Sequence, residues 1–220
     1  MERVGGVVVG IDQGTANCGL AIDRRLLGGG ISGMKIGVRV WPGNTFRGAL
    51  ETFGTIVRVV RGIPEKIALI AVEGRAYGMT SRKIEDGKKV AGYNLAGLWH
   101  LDTMIQLYAA ANDIPLLIVS PLSVKRFAGG KGSGRMTKKE VGVAMRKLGL
   151  GAKDKDIQDA IAIANLASAA LLAEAERGGD ADASAALRRV YNADQLAYIR
   201  KIFRSTIERE FLVEWPEVGR

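Results

Sequence analysis

Two short aliphatic runs, Val7-Val8-Val9-Gly10-Ile11 and Ile67-Ala68-Leu69-Ile70-Ala71-Val72, each stop at an acid, Asp12 and Glu73. A continuous run of this length and β-branched content reads as a strand buried on both faces, so the sheet it joins needs helices on both sides. If the two strands lie parallel and adjacent, both acids emerge at one edge. In open α/β sheets that edge is where ligands bind.

The rest of the pattern fits such a sheet. Cys18-Gly19-Leu20-Ala21-Ile22 reads as a second strand, joined to the first as a hairpin across Asp12-Gln13-Gly14-Thr15. Alternation over 34–41 predicts a third strand, ended by Pro42-Gly43-Asn44. Phe46, Ala49, Leu50, Phe53, Ile56, Val57 and Val60 recur at helical spacing until Gly62-Ile63-Pro64. Beyond a polar stretch at 75–89 come a helix over 93–112, a strand over 114–119, a short helix over 122–127 and a glycine-rich loop over 129–134. Thr137 and Glu140 form a capping box for a helix reaching Leu148. Asp154 or Lys155 opens an Ala-rich helix to about Ala175; 178–184 reads as a linker and 193–211 as an amphipathic helix. Buried strands alternating with helices predict a mixed sheet with helices on both faces. The expected division is a domain over 1–177 and a helical C-terminal extension over 178–220.

On the Ala-rich helix, Asp156, Asp159, Ala160, Ile163 and Ala167 share one face. That face is otherwise small and apolar, so it packs on the sheet and turns its two acids inward. First-turn capping accounts for Asp154 or Asp156 but not for Asp159, a full turn in. Carboxylates gathered at a buried edge repel one another and need a cation. An all-oxygen ligand set selects a hard ion, Mg²⁺ or Mn²⁺. Two such ions per subunit, about 4 Å apart, would support in-line phosphodiester hydrolysis.

Charge points to the same chemistry. The chain has 220 residues with 32 Lys and Arg against 23 Asp and Glu, a net charge of +9. Residues 75–89 hold five basic side chains and two acids, and 125–147 hold eight and one, so these two segments carry all of the excess. Arg75, Arg82, Lys83, Lys125, Lys131, Arg135, Lys138 and Lys139 are the expected DNA phosphate contacts. Gly129 and Gly134 have phosphate-loop spacing, but Arg135-Met136 stands where Lys-Ser/Thr is needed, so that reading fails. One cysteine and one histidine exclude an intramolecular disulfide framework and argue against a structural zinc site. No run reaches the roughly 20 apolar residues of a membrane span, and the first residues do not read as a signal peptide. A cytoplasmic, nucleoid-associated protein with no membrane partner is expected.

Five segments occur in order: Gly10-Ile11-Asp12-Gln13-Gly14-Thr15, Ala71-Val72-Glu73, Pro121-Leu122-Ser123-Val124-Lys125, Lys138-Lys139-Glu140-Val141, and Asp156-Ile157-Gln158-Asp159-Ala160-Ile161-Ala162-Ile163-Ala164. Over about residues 6–170 this set resembles the RuvC-type Holliday-junction resolvases of the RNase H-like superfamily. The resemblance implies an RNase H-like mixed sheet and a homodimer that cuts four-way DNA junctions with divalent metal. It assigns Asp12, Glu73, Asp156 and Asp159 as catalytic acids and metal ligands, and Lys125 and Lys138 as DNA contacts. An aromatic at the junction centre usually stands three residues after the second acid; here Ala76 is there and Tyr77 follows. Tyr77 becomes the expected stacking residue. Other departures are a longer segment around 26–33, a slightly long 125–138, and a tail beyond Arg177 with no counterpart. Three other readings remain: a nuclease of the superfamily acting on other branched DNA, a non-catalytic DNA-binding protein of this fold, and an actin-like or sugar-kinase-like ATPase, which would need a second domain.

Overall fold

The computed structural model describes residues 5–14, 17–38, 44–74, 84–85, 88–89, 95–129 and 136–210. The chain order is β1 (Val7–Asp12), β2 (Asn17–Asp23), β3 (Ile31–Gly37), α1 (Thr45–Arg61), β4 (Ile67–Glu73), β5 (Ile84–Glu85), β6 (Lys88–Lys89), α2 (Leu95–Ala111), β7 (Leu116–Val119), α3 (Pro121–Gly129), α4 (Lys138–Lys147), α5 (Lys155–Arg177), α6 (Ala181–Val190) and α7 (Ala193–Glu210). Five strands form the main sheet in the order β3-β2-β1-β4-β7. β1 pairs antiparallel with β2 and β2 with β3, whereas β1, β4 and β7 run parallel. This is the mixed α/β sheet expected, with its two apolar-run strands as parallel neighbours.

Period-2 alternation divides the strands between two cores. Val7, Val9, Ile11, Leu20, Ile22, Ile70 and Val72 face Ile56 and Val60 of α1 and Leu101 and Ile105 of α2. Val8, Ala21, Leu69 and Ala71 face Ala160, Ile163, Ala164 and Ala167 of α5. α5 is the only described helix long and apolar enough to cross a membrane by length and composition, and 72% of its apolar window is buried inside the protein. Its apolar length is explained by core packing.

β3 and α6 differ from the sequence reading. β3 begins at Ile31, three residues earlier than expected, because Gly33 admits Ile157 of α5 against the strand and so belongs to the sheet. The strand runs to Gly37, and its expected end at 41 lies outside the described residues. The expected linker over 178–184 shortens to Gly178, Gly179 and Asp180, since the Asp180 side chain accepts from the Ala183 amide at 3.0 Å and opens α6. Leu187 of α6, Tyr191, and Leu196 and Ile199 of α7 are buried in the same core as α5.

A polar knot lies in that core. Asp23 is fully buried. It accepts from Arg25 Nε at 2.9 Å and Ser168 Oγ at 2.7 Å. Arg25 also donates to Asn165 Oδ1 at 2.8 Å, so the buried charge is paired and its other lone pairs are satisfied.

Candidate active site

Asp12 and Glu73 end neighbouring parallel strands, and the register pairs Ile11 with Val72 immediately before them. By alternation both stand on the face that α5 covers. Asp12 is 6% exposed and Glu73 half-buried. The strand end at Glu73 is fixed from its other side, where the Gly74 amide donates to the Val119 carbonyl at 2.7 Å.

α5 reaches this edge because glycine makes room for it. Gly10 and Gly19 stand under Ala160, Ala164 and the Asp156 carbonyl; a Cβ at Gly10 would lie 2.5 Å from the Ala160 oxygen. Gly19 is the register partner of Asp12, so Asp156 is seated beside Asp12 across the β1–β2 pair. Asp159 lies about 60° around the helix from Asp156 at 100° per residue, on the side away from Ile157. Ile157 packs at Gly33 on β3, so Asp159 is turned towards β4 and Glu73. The fold therefore sets Asp12 and Glu73 at neighbouring strand ends under α5, with the first turns of α5, which carry Asp156 and Asp159, over the same face. Among the described residues, no three His, Cys, Asp or Glu side chains are grouped closely enough to hold a metal ion. The donor chemistry, carboxylate oxygen throughout, fits a hard divalent cation.

The N-terminus of α5 is organised by Asp154. Its Oδ1 accepts from the amides of Asp156 at 2.9 Å and Ile157 at 3.2 Å. The Ile157 amide first, then Lys35, and last the Asp156 amide hold the Asp154 carboxyl below the usual carboxylate range. Lys35, on β3, places its Nζ 3.1 Å from Asp156 Oδ2 and 3.2 Å from Asp154 Oδ2. Its bonds to Asp156 and then Asp154 raise its pKa. The Cys18 thiol is pushed up to about 11, first by burial and also by the negative charges of Asp12 and Asp156. It is a buried apolar filler of β2.

Of the expected DNA contacts, Lys125 is half-buried on α3, which follows directly on β7, the strand paired with Glu73. Lys139 is exposed in the first turn of α4, beside the observed capping box. Lys138 opens the same helix. α3 and α4 both pack on α5. Arg75, Tyr77, Arg82, Lys83, Lys131 and Arg135 lie outside the described residues.

Two polar residues at this edge escaped the sequence reading. Lys35 is a single lysine on a half-exposed strand; only the register shows that it stands opposite Gly19. Gln13 follows Asp12 and donates to Asp102 of α2 at 3.2 Å. The polar residue immediately after a strand-end acid was the available signal.

No family profile matches the sequence, and no curated protein matches it. Solved structures do. A Thermus thermophilus RuvC structure in complex with Holliday junction substrate superposes with a TM-score of 0.55 at 18% identity, over 79% of this chain and 96% of that one. A second T. thermophilus RuvC structure gives a TM-score of 0.53 at 21% identity with the same coverage. The chain thus has the RNase H-like fold of RuvC.

Proposed function

We propose that this chain is a metal-dependent endonuclease that resolves four-way DNA junctions by phosphodiester hydrolysis in recombination and repair. The observation that supports this reading is that Asp12 and Glu73 end neighbouring parallel strands on the face α5 covers, where the Asp156 carbonyl lies over Gly19, the register partner of Asp12. The fold is shared with a RuvC structure solved on a Holliday junction.

In this reading Asp12, Glu73, Asp156 and Asp159 hold Mg²⁺ or Mn²⁺, two ions per subunit. The ions, when bound, lower the pKa of water and offset charge on the scissile phosphate. The chain's own part is positional. Asp12 is fixed by its strand and Asp156 by the α5 cap, so ligand directions are set before DNA arrives. Lys125, Lys138 and Lys139 on α3 and α4 bind phosphates flanking the cut, as do Arg75, Arg82, Lys83, Lys131 and Arg135. Tyr77 stacks on unpaired bases at the junction centre.

Symmetric cutting needs a second copy of the chain. α2 exposes Trp99 (60%) and Leu107 (62%) two turns apart, and α1 exposes Phe46 and Leu50. Phe46 meets His100 edge-to-face at 5.2 Å, joining these apolar residues into one surface that a partner copy would cover. The expected setting is the cytoplasm, on nucleoid DNA.

Cleavage of labelled four-way junction, flap and linear duplex in Mg²⁺ tests the assignment. Asp12→Asn, Glu73→Gln and Asp159→Asn should each lose cleavage by orders of magnitude while still binding junctions. Faster cutting of flaps would reassign the substrate. Near-normal cleavage by Asp159→Asn would break the four-acid site, and junction binding without any cleavage would make the chain a DNA-binding protein.

A further inference from the structure

Asp12, Gly19 and Lys35 form one row across three strands, since the register pairs Asp12 with Gly19 and Gly19 with Lys35. Directly opposed residues project from the same face, and at roughly 5 Å per strand the row spans about 10 Å. Gly19 contributes no side chain to it, and the first turn of α5 fills the space above. The Lys35 ammonium reaches this turn and bridges Asp154 and Asp156. Asp154 divides its oxygens, Oδ1 for the helix cap and Oδ2 for Lys35. Asp156 Oδ2 is engaged by a cation that belongs to the chain.

That arrangement has a chemical consequence. Without a divalent ion, clustered carboxylates repel, and a resident ammonium offsets part of the repulsion. With one, the same ammonium opposes the arriving charge. The pair is partly open, with the lysine side chain 39% and the aspartate 29% exposed, so it is exchangeable. A lysine head on a flexible four-carbon stem can swing away; the forked, pre-organised head of an arginine would hold more firmly.

We propose that Lys35 is a resident counter-cation of the acid cluster, competing with the divalent ion for Asp156 and setting the ion concentration at which the site loads. The inference rests on reading Asp156 as a metal ligand. It makes Lys35 a positioning residue, and its effect is read on metal binding without DNA or turnover.

Mn²⁺ binding, followed by the loss of the free-ion EPR signal, is compared for the wild type, Lys35→Met, Lys35→Arg and Asp12→Asn, each checked for a cooperative melt. Lys35→Met should bind Mn²⁺ roughly tenfold more tightly, the effect of removing one positive charge a few ångströms from a divalent ion. Lys35→Arg should bind no more tightly than wild type. If Lys35→Met keeps wild-type affinity while Asp12→Asn loses the ion, Lys35 only props the first turn of α5; the counter-cation role falls and the acid site stands. If the wild type binds no Mn²⁺, or Asp12→Asn binds it equally well, the metal site and the role of Lys35 fall together.

Discussion

The Tyr191 hydroxyl donates to Asn165 Oδ1 at 3.0 Å, the same oxygen that accepts from Arg25. The residue between α6 and α7 is thereby bonded into the polar knot beneath α5. Tyr191→Phe leaves the ring in place and removes this bond, so it should cost about 1 kcal/mol. A lowered urea midpoint at unchanged slope would show it. Burial pushes the phenol up to about 12, with the neighbouring Arg25 pulling the other way. Its folded-state value thus exceeds the unfolded value of about 10, so its stabilising contribution is whole below pH 10 and is lost as the pH rises towards about 12. The gap between wild type and Tyr191→Phe should narrow over that interval.

Gly19→Ala should damage the fold at the site itself. Its Cβ would run into the Asp156 carbonyl, a backbone atom that cannot turn aside. A loss of about 1–3 kcal/mol is expected, with weaker Mn²⁺ binding as the α5 end shifts. Gly54 is the control: it lies within α1 with open space around its Cβ position, so Gly54→Ala should raise stability by roughly 0.5–1 kcal/mol.

Lys139→Ala should weaken binding to junction, flap and duplex alike, because a phosphate contact carries no shape or sequence information. The slope of log K against log salt should fall by roughly 0.9. An unchanged slope would remove Lys139 from the interface.

Trp99→Lys tests the apolar surface of α1 and α2. The side chain is mostly exposed, so the melting temperature should hold. Light scattering on a sizing column should show the wild type at twice the chain mass and the variant at once. A wild-type monomer would dismiss this surface as the dimer contact.

Which parts of the fold were legible from sequence follows from the range of the signals. β1 and β4 were readable because β-branched runs ending in acids admit few other structures. α4 and α5 were readable because Thr137, Glu140 and Asp154 announce their caps within three residues. α6 was missed because Gly178-Gly179-Asp180 looks like a linker, although Asp180 is the cap of the following helix. The start of β3 was missed because Gly33 breaks the alternation, for a reason that lies on α5. Asp12 and Glu73 could be placed as a pair from strand ends alone. Lys35 could not, since its place beside Asp156 depends on two strand registers and a helix, none of them local in sequence.

The glycines under α5 also limit how the molecule can move. At Gly10 and Gly19 the helix rests on the sheet largely backbone to backbone, with only the Ala160 and Ala164 methyls beside the contact and nothing there that can change rotamer. Such a joint is stiff, because sliding α5 by one residue would change which small residues meet the sheet at Gly10 and Gly19. Rocking of α5 against the sheet is therefore resisted at this edge. Asp12 and Asp156, carried on the two sides of this joint, are thereby held at one spacing by backbone contact.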